Sequence, residues 1–413
     1  MGFWSNGTPD GPFTTREFGS GHAFICVRIA YAASHDYRAD ATALSTRRRP
    51  GSAMRFGTCA IECAISGNYF RGFPHVTHLR PPMSAREDVP EGGVDTQEAL
   101  ADVEAAASAA AEAATAAAAM RGLGGGGLGE SLRLLPCDLS ELSADSDGIT
   151  GAEGGAEGLV YVPGFNTPLD VALQSFGQLL ATARLPATLK PLVLSWPGGR
   201  ALSYLPAARA STQPWMAADL IALLTGMHEY GIRTVHLLTH SMGARCLLHA
   251  LPALRAAPLL RSGALALGHV VLLSPDFPLR AFVETAAESL AALGATTTIY
   301  GDRHDRPLAY SELLCRLLGA ADWRSLGRLQ GAPWSGECDV DVVDTTWMQA
   351  GLPAGDPDLA VNTKMRHSQF AVNQLIAADI VELLTTGRRA AERGRLRRRA
   401  GTGGVYHFFS TDS

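Results

Sequence analysis

Val235-His236-Leu237-Leu238-Thr239-His240-Ser241-Met242-Gly243 is the stretch on which the reading of the whole chain turns. An apolar run rich in β-forming residues stops at a serine, and a helical pattern through Cys246, Leu247 and Leu248 begins at once. Strand, serine, helix is the layout of a nucleophile elbow, a tight turn that lifts a hydroxyl above the edge of a sheet. The start of the following helix offers backbone N–H groups and a partial positive charge where an oxyanion would form. Gly243 suits a helix that must pass close to a neighbouring strand, where a Cβ would be in the way. The elbow pattern G-x-S-x-G is incomplete, because Thr239 stands at its first glycine. A serine that merely caps a helix has the same local appearance, so the flanking chain has to decide.

Upstream, Leu159 to Val162 has the pattern of a strand ending at Pro163-Gly164-Phe165-Asn166. Thr167 is placed to cap the next helix, with Pro168 at its first position and Leu169, Leu173, Phe176 and Leu180 as its buried stripe. Leu192 to Trp196 is a second strand, stopped by Pro197-Gly198-Gly199, and a helix follows with Leu220, Leu223, Leu224 and Met227 on one face. Downstream, Val270 to Leu273 leads to Ser274-Pro275-Asp276 and a helix over roughly Leu279 to Leu293. Thr296 to Tyr300 leads to Gly301-Asp302-Arg303-His304-Asp305 and a helix around Ser311 to Leu318. Val340 to Val343 is the last strand, and His367 opens a final helix carrying Phe370, Leu375, Ile376, Ile380 and Leu383. Such alternation requires a mostly parallel sheet with right-handed crossovers and helices on both faces, the α/β-hydrolase fold. In open sheets of this kind ligands bind at the carboxyl ends of the strands, and the unusual residues above all fall there.

The chain of 413 residues is long enough for one large α/β domain with appendages. Residues 158–387 form the expected hydrolase domain. Residues 1–50 show little periodicity beyond the apolar run Ala23 to Ala33, and residues 51–83 have the alternation of a short β segment packing on that domain. Residues 84–157 are an Ala/Gly-rich, low-complexity insertion, with an Ala-rich helix former from Ala101 to Met120, Gly124 to Gly127, and Leu132 to Cys137 as a short edge strand. Residues 388–413 are an Arg-rich tail with seven Arg between Arg388 and Arg399, expected to be solvated, with contact to anionic lipid as the alternative.

Hydrophobic content of 46% supports a sizeable core, and a net charge of −5 gives no reason to expect nucleic acid. Seven scattered Cys show no disulfide framework, which favours a reducing compartment. Cys59 and Cys63 fall on one face of a strand rather than in a metal-binding spacing, and neither a metal nor a cofactor is expected. No apolar run reaches the ~18 residues of a membrane span. The expected location is cytoplasmic; the Arg-rich start, with Arg47-Arg48-Arg49, leaves an organelle transit peptide as the alternative.

A serine hydroxyl is a weak nucleophile and needs a base to take its proton and an acid to hold that base. In α/β-hydrolases these follow in the order Ser, Asp or Glu, His. Ser241, Asp305 and His367 satisfy that order. Asp302, on the same loop as Asp305, and Asp276, at the end of the preceding strand, are alternative acids, and a turn-capping carboxylate is the bland reading of each. The other histidines fit less well: His236 lies within the central strand, His249 within the next helix, and His304 beside the acid. Strand alternation turns His240 away from the hydroxyl. The oxyanion donors would be the backbone N–H groups of Met242, after the nucleophile, and Phe165, on the earlier loop. Each such donor is typically worth ~3 kcal/mol of barrier.

With these residues in place, positions 158 to 384 resemble the α/β-hydrolase family known only as domain of unknown function 900. The resemblance is carried by Val160-Tyr161-Val162-Pro163-Gly164-Phe165-Asn166, Leu194-Ser195-Trp196-Pro197 with Tyr204, and Thr239-His240-Ser241-Met242-Gly243-Ala244-Arg245. Pro275-Asp276, Tyr300-Gly301-Asp302-Arg303-His304-Asp305, Asp341-Val342-Val343-Asp344 and the late His367 complete it. Thr46-Arg47, Phe56-Gly57 and Pro74-His75 are similar to the short β region that precedes the domain in that family. The chain departs from the family pattern at Pro163, where a histidine is usual, at Ala207-Ala208, and at Pro278. The resemblance implies a Ser-Asp-His hydrolase without an agreed substrate.

The expectation from sequence is therefore an esterase- or lipase-like acyl hydrolase acting on a small-molecule acyl substrate, with thioesters or amides as chemical neighbours. The contrasting class is a catalytically silent scaffold of the same fold that binds a ligand or a protein. Trp196, Trp215, Trp323 and Trp334 fall near the catalytic end, where they either line an acyl cleft or pack beneath its loops.

Overall fold

The computed structural model describes residues 13–18, 22–34, 54–66, 69–70, 75–80, 156–183, 185–186, 188–199, 203–320, 323–329, 338–348, 365–371, 373–398 and 404–408. The Ala-rich helix former, the Leu132 to Cys137 strand, the Arg47 to Arg49 run and Trp334 lie outside these residues.

Among the described residues, thirteen strands make one sheet. In chain order they are β1 (Phe13–Phe18), β2 (His22–Ala33), β3 (Arg55–Ser66), β4 (Tyr69–Phe70) and β5 (His75–Arg80). Then come β6 (Glu157–Val162), helix α1 (Leu169–Ala183), β7 (Leu189–Ser195), α2 (Tyr204–Ala210), α3 (Pro214–Glu229), β8 (Thr234–His240) and α4 (Gly243–Ala256). The last part holds β9 (Ala266–Leu273), β10 (Thr296–Gly301), α5 (Arg306–Leu317), β11 (Val340–Asp344), α6 (Gln374–Thr386), β12 (Leu396–Arg398) and β13 (Val405–Phe408). The spatial order is β12-β13-β11-β10-β9-β8-β6-β7-β2-β3-β4, with β1 on β2 and β5 on β3.

From β13 across to β2 every neighbouring pair is parallel. Among the described strands, antiparallel pairing occurs in the β1–β5 region and between β12 and β13. Parallel strands need helical crossovers, which cover the sheet on both faces and force both sets of alternating side chains to be apolar. Val160, Val162, Leu192, Leu194, Val235, Leu237, Val270 and Leu272 pack against Leu220, Leu223 and Leu224 of α3 and Leu247, Leu251 and Leu254 of α4. The alternate set, Leu159, Tyr161, Val193, Leu238, Val271 and Leu273, packs against Leu173, Phe176 and Leu180 of α1 and Ile376, Ile380 and Leu383 of α6. Each fully buried side chain of this size contributes about 2 kcal/mol.

The structure departs from the sequence expectation at several elements. The apolar run within residues 1–50 is β2, whose Ala30 to Ala33 pair in parallel with Leu192 to Ser195 of β7. Ile29, Tyr31 and Ala33 enter one core and Ala30 and Ala32 the other, so a strand covered on both sides shows no polar alternation to read. The final helix begins at Gln374 rather than at His367; Asn373 caps it, its side chain accepting from the Leu375 and Ile376 amides. Thr167 does not cap α1 but donates through Oγ1 to the Phe165 carbonyl at 3.1 Å.

The Arg-rich segment, expected as a solvated tail, is instead built into the domain as far as it is described. Arg389 pairs with Asp339 and Asp341, Arg388 and Arg395 reach Glu382, and Arg393 is wholly buried beside Asp379. β12 then pairs with β13, which extends the sheet beyond β11. No helix among the described residues is long and apolar enough to cross a membrane.

Candidate active site

β8 ends at His240, and Ser241 follows with φ of 52°. A residue other than glycine rarely adopts that left-handed backbone, and here it helps turn the chain from strand into α4 within two residues. Hydrogen bonds to the next strand hold the turn: the Ser241 amide donates to Leu273 O, and the Asp276 amide donates to Ser241 O, both at 3.0 Å. Two glycines leave room for it. A Cβ on Gly243 would lie 2.3 Å from the Val162 carbonyl oxygen, and one on Gly164 would lie 2.9 Å from the Ser241 Cβ. The sequence reading anticipates the first of these close approaches but not the second.

Ser241 is 8% exposed, and it stands at the carboxyl end of β8 beside residues that follow β6 and β9. Among the described residues, neither the Met242 amide nor the Phe165 amide donates to a backbone carbonyl. Phe165 is fixed by its neighbours: the Asn166 amide, on a residue with φ of 53°, donates to Gly198 O, and the Phe165 ring meets Tyr204 edge-on at 5.4 Å.

His367 lies on the turn before α6, and its Nδ1 is 2.7 Å from Oδ2 of Asp305. Asp305 is completely buried, and its other oxygen accepts from the Leu308 amide, capping α5. Burial raises the Asp305 carboxyl above its ordinary range, while the neighbouring His367 charge and hydrogen bond pull it back down. The His367 ring packs on His240, centroid to centroid 4.6 Å, and Nε2 of His240 is 3.0 Å from the His367 carbonyl oxygen. The base candidate is thus anchored to the residue that immediately precedes Ser241. Ser241, Asp305 and His367 are brought to one end of the sheet.

The two alternative acids are occupied elsewhere. Asp276 is buried and accepts from Arg245 Nη2 at 2.8 Å, Tyr204 Oη at 2.9 Å and Ser311 Oγ at 2.7 Å, while its carbonyl accepts from Arg245 Nε. Burial raises the Tyr204 hydroxyl well above its ordinary value, as does the Asp276 charge, so it stays a neutral donor in this network. Asp302 pairs with Arg366 and accepts from the His304 amide at 2.7 Å. Arg366, with φ of 57°, also donates to the carbonyl oxygens of Thr345 and Thr346, so the residue before His367 is clamped to the ends of β10 and β11. Neither Arg366 nor His240 stands out in the sequence. Arginine beside the late histidine has no motif of its own, and strand alternation argues against His240 until the turn at Ser241 breaks it.

Among the tryptophans, Trp196 is buried and donates through Nε1 to Pro163 O at 2.8 Å, packing beneath the loop that carries Phe165. Trp323 stacks on the Arg245 guanidinium at 4.7 Å. Trp347, just past β11, is 70% exposed.

A mostly parallel sheet flanked by helices, with its polar residues gathered at the carboxyl ends beyond a strained strand-to-helix serine, defines the α/β-hydrolase class. Within that class the chain belongs to the alpha/beta hydrolases of unknown function (DUF900), whose family profile matches residues 152–377. No curated protein matches the chain. Among solved structures it is similar to the crystal structure of Aspergillus fumigatus lipase B, with 13% identity, a TM-score of 0.23 and coverage of 55% of this chain. The chain spans 63% of the length of that lipase.

Proposed function

We propose that the chain is a serine acyl hydrolase, with Ser241 as nucleophile, His367 as base and Asp305 as the acid that orients it. The single observation that supports this most is the Asp305–His367 bond of 2.7 Å, buried and lying against the residue before the strained serine. With Nδ1–H committed to the carboxylate, Nε2 of His367 is the basic nitrogen. It takes the Ser241 proton as Oγ bonds to the carbonyl carbon of an ester. The resulting oxyanion is received by the Met242 and Phe165 amides, at the start of α4 and on the loop after β6. Collapse of the tetrahedral species breaks the bond to the alcohol, which leaves with the proton from His367. Water, deprotonated by the same imidazole, then attacks the acyl-serine, releasing the carboxylic acid and restoring the hydroxyl.

The test is turnover of p-nitrophenyl esters from acetate to octanoate by the full chain, its Ser241→Ala variant and its His367→Ala variant. A fall of at least ~10³-fold in kcat is expected for each. Turnover unchanged in Ser241→Ala would overturn the assignment, and a wild type inert to every ester would favour a silent scaffold.

A further inference from the structure

The residue that links the two halves of the site is His240. Its ring is held in a fixed pose: Nε2 lies 3.0 Å from the His367 carbonyl oxygen, its centroid is 4.6 Å from the His367 ring and 4.9 Å from Phe370, and it is 7% exposed. Nδ1 faces Gly164, where an added Cβ would sit 3.3 Å from it. A carbonyl oxygen can only accept, so the proton of the neutral ring is on Nε2. Burial and the nearby His367 hold the His240 imidazole well below its ordinary pKa, which keeps it an uncharged donor.

The peptide that carries His367 enters from a segment 126 residues downstream of Ser241. Its other described attachments are the Asp305 contact at the ring and the Arg366 clamp to Asp302, Thr345 and Thr346. All of these tie it to β10, its loop and the end of β11; none ties it to β8. Among the described residues, His240 alone joins the His367 main chain by a hydrogen bond to the strand whose next residue is Ser241. We infer that His240 is a positioning residue: its Nε2–H···O=C bond to His367 sets the reach between the Ser241 hydroxyl and the His367 imidazole. This rests on the serine-hydrolase reading above. A displacement of about 1 Å between reacting groups is enough to cost ~10²-fold in rate, so loss of this one bond is felt in the chemical step rather than in substrate binding.

The experiment compares ester turnover and fluorophosphonate labelling in wild type, His240→Phe and His240→Gln. Phenylalanine keeps a ring against Phe370 and His367 but has no donor; glutamine restores an N–H at similar reach without the ring. The expected result is a kcat lowered about 10- to 100-fold in His240→Phe, with KM within about threefold and labelling slowed in parallel. His240→Gln should regain at least about tenfold of that loss. A His240→Phe protein whose kcat is within about twofold of wild type overturns the role of His240 alone and leaves the Ser241 assignment standing. A wild type without Ser241-dependent turnover overturns both. Should the Phe variant fail to fold, His240→Gln decides: turnover within about tenfold of wild type supports the role, and a loss as large as that of His367→Ala overturns it.

Discussion

Three aspartates compete for one histidine in the sequence, and they part company by what each is bonded to. Asp276 is paired with the buried Arg245 guanidinium, Asp302 with Arg366, and Asp305 with His367. Their substitutions are therefore expected to fail in different ways. Asp276→Ala leaves Arg245 buried and unpaired, and should lower unfolding free energy by about 3 kcal/mol in a denaturant titration. Asp305→Asn should cut kcat about 10³- to 10⁴-fold without lowering stability at neutral pH. Burial raises the Asp305 carboxyl, so from about pH 4, the ordinary aspartate value, upward, the native state retains a proton that the unfolded chain has lost. In that window this group subtracts stability as pH rises, and the loss is complete above its native pKa. The amide variant lacks that loss, so its stability relative to wild type should increase between pH 4 and pH 7. A constant difference across that range would contradict the cause given for the shift. The order of the candidate Ser, Asp and His along the chain is legible in the sequence; what each aspartate is bonded to is not, because it depends on partners 31 to 64 residues away.

At the level of elements, the elbow could be foreseen because its requirements are local. Gly243 was legible as the residue that lets α4 pass the neighbouring strand, and the Val162 carbonyl is what it passes. Gly243→Ala must push backbone against backbone and should cost about 2 kcal/mol or more, read as a lower melting temperature. Gly164→Ala meets Ser241 itself at 2.9 Å. Its expected signature is the reverse: a kcat reduced by ~10²-fold with a smaller change in melting temperature. The sequence pattern sets the start of α6 at His367, seven residues before Gln374, for a physical reason. Phe370, on a 3₁₀ turn, enters the same core as Ile376 and Ile380, so the apolar stripe runs through the break without marking it. The signal that was available is Asn373, an N-cap residue directly before the regular helix.

For the molecule as a whole, the least legible parts are the margins of the sheet. β2 hides because both faces of its Ile29 to Ala33 part are covered, and the Arg388 to Arg398 segment hides because its acidic partners lie on β11, its approach and α6. Arg393 has no exposed side-chain surface and lies 3.4 Å from Asp379, which also accepts from Tyr300 Oη at 2.6 Å. Arg393→Ala strands that carboxylate and should lower stability by about 3 kcal/mol, whereas the exposed Arg398→Ala should change it by less than about 0.5 kcal/mol; urea titration of both variants compares them. These contacts join the last strands to the sheet, and Ser241 and Asp305 follow β8 and β10 among its central parallel strands. The most direct measurement is intact-protein and peptide mass spectrometry after treatment with a fluorophosphonate. One adduct per chain, carried on the peptide containing Ser241 and abolished in His367→Ala, is the expected result; an adduct elsewhere, or none in a folded wild type, would contradict a nucleophilic serine at the end of β8.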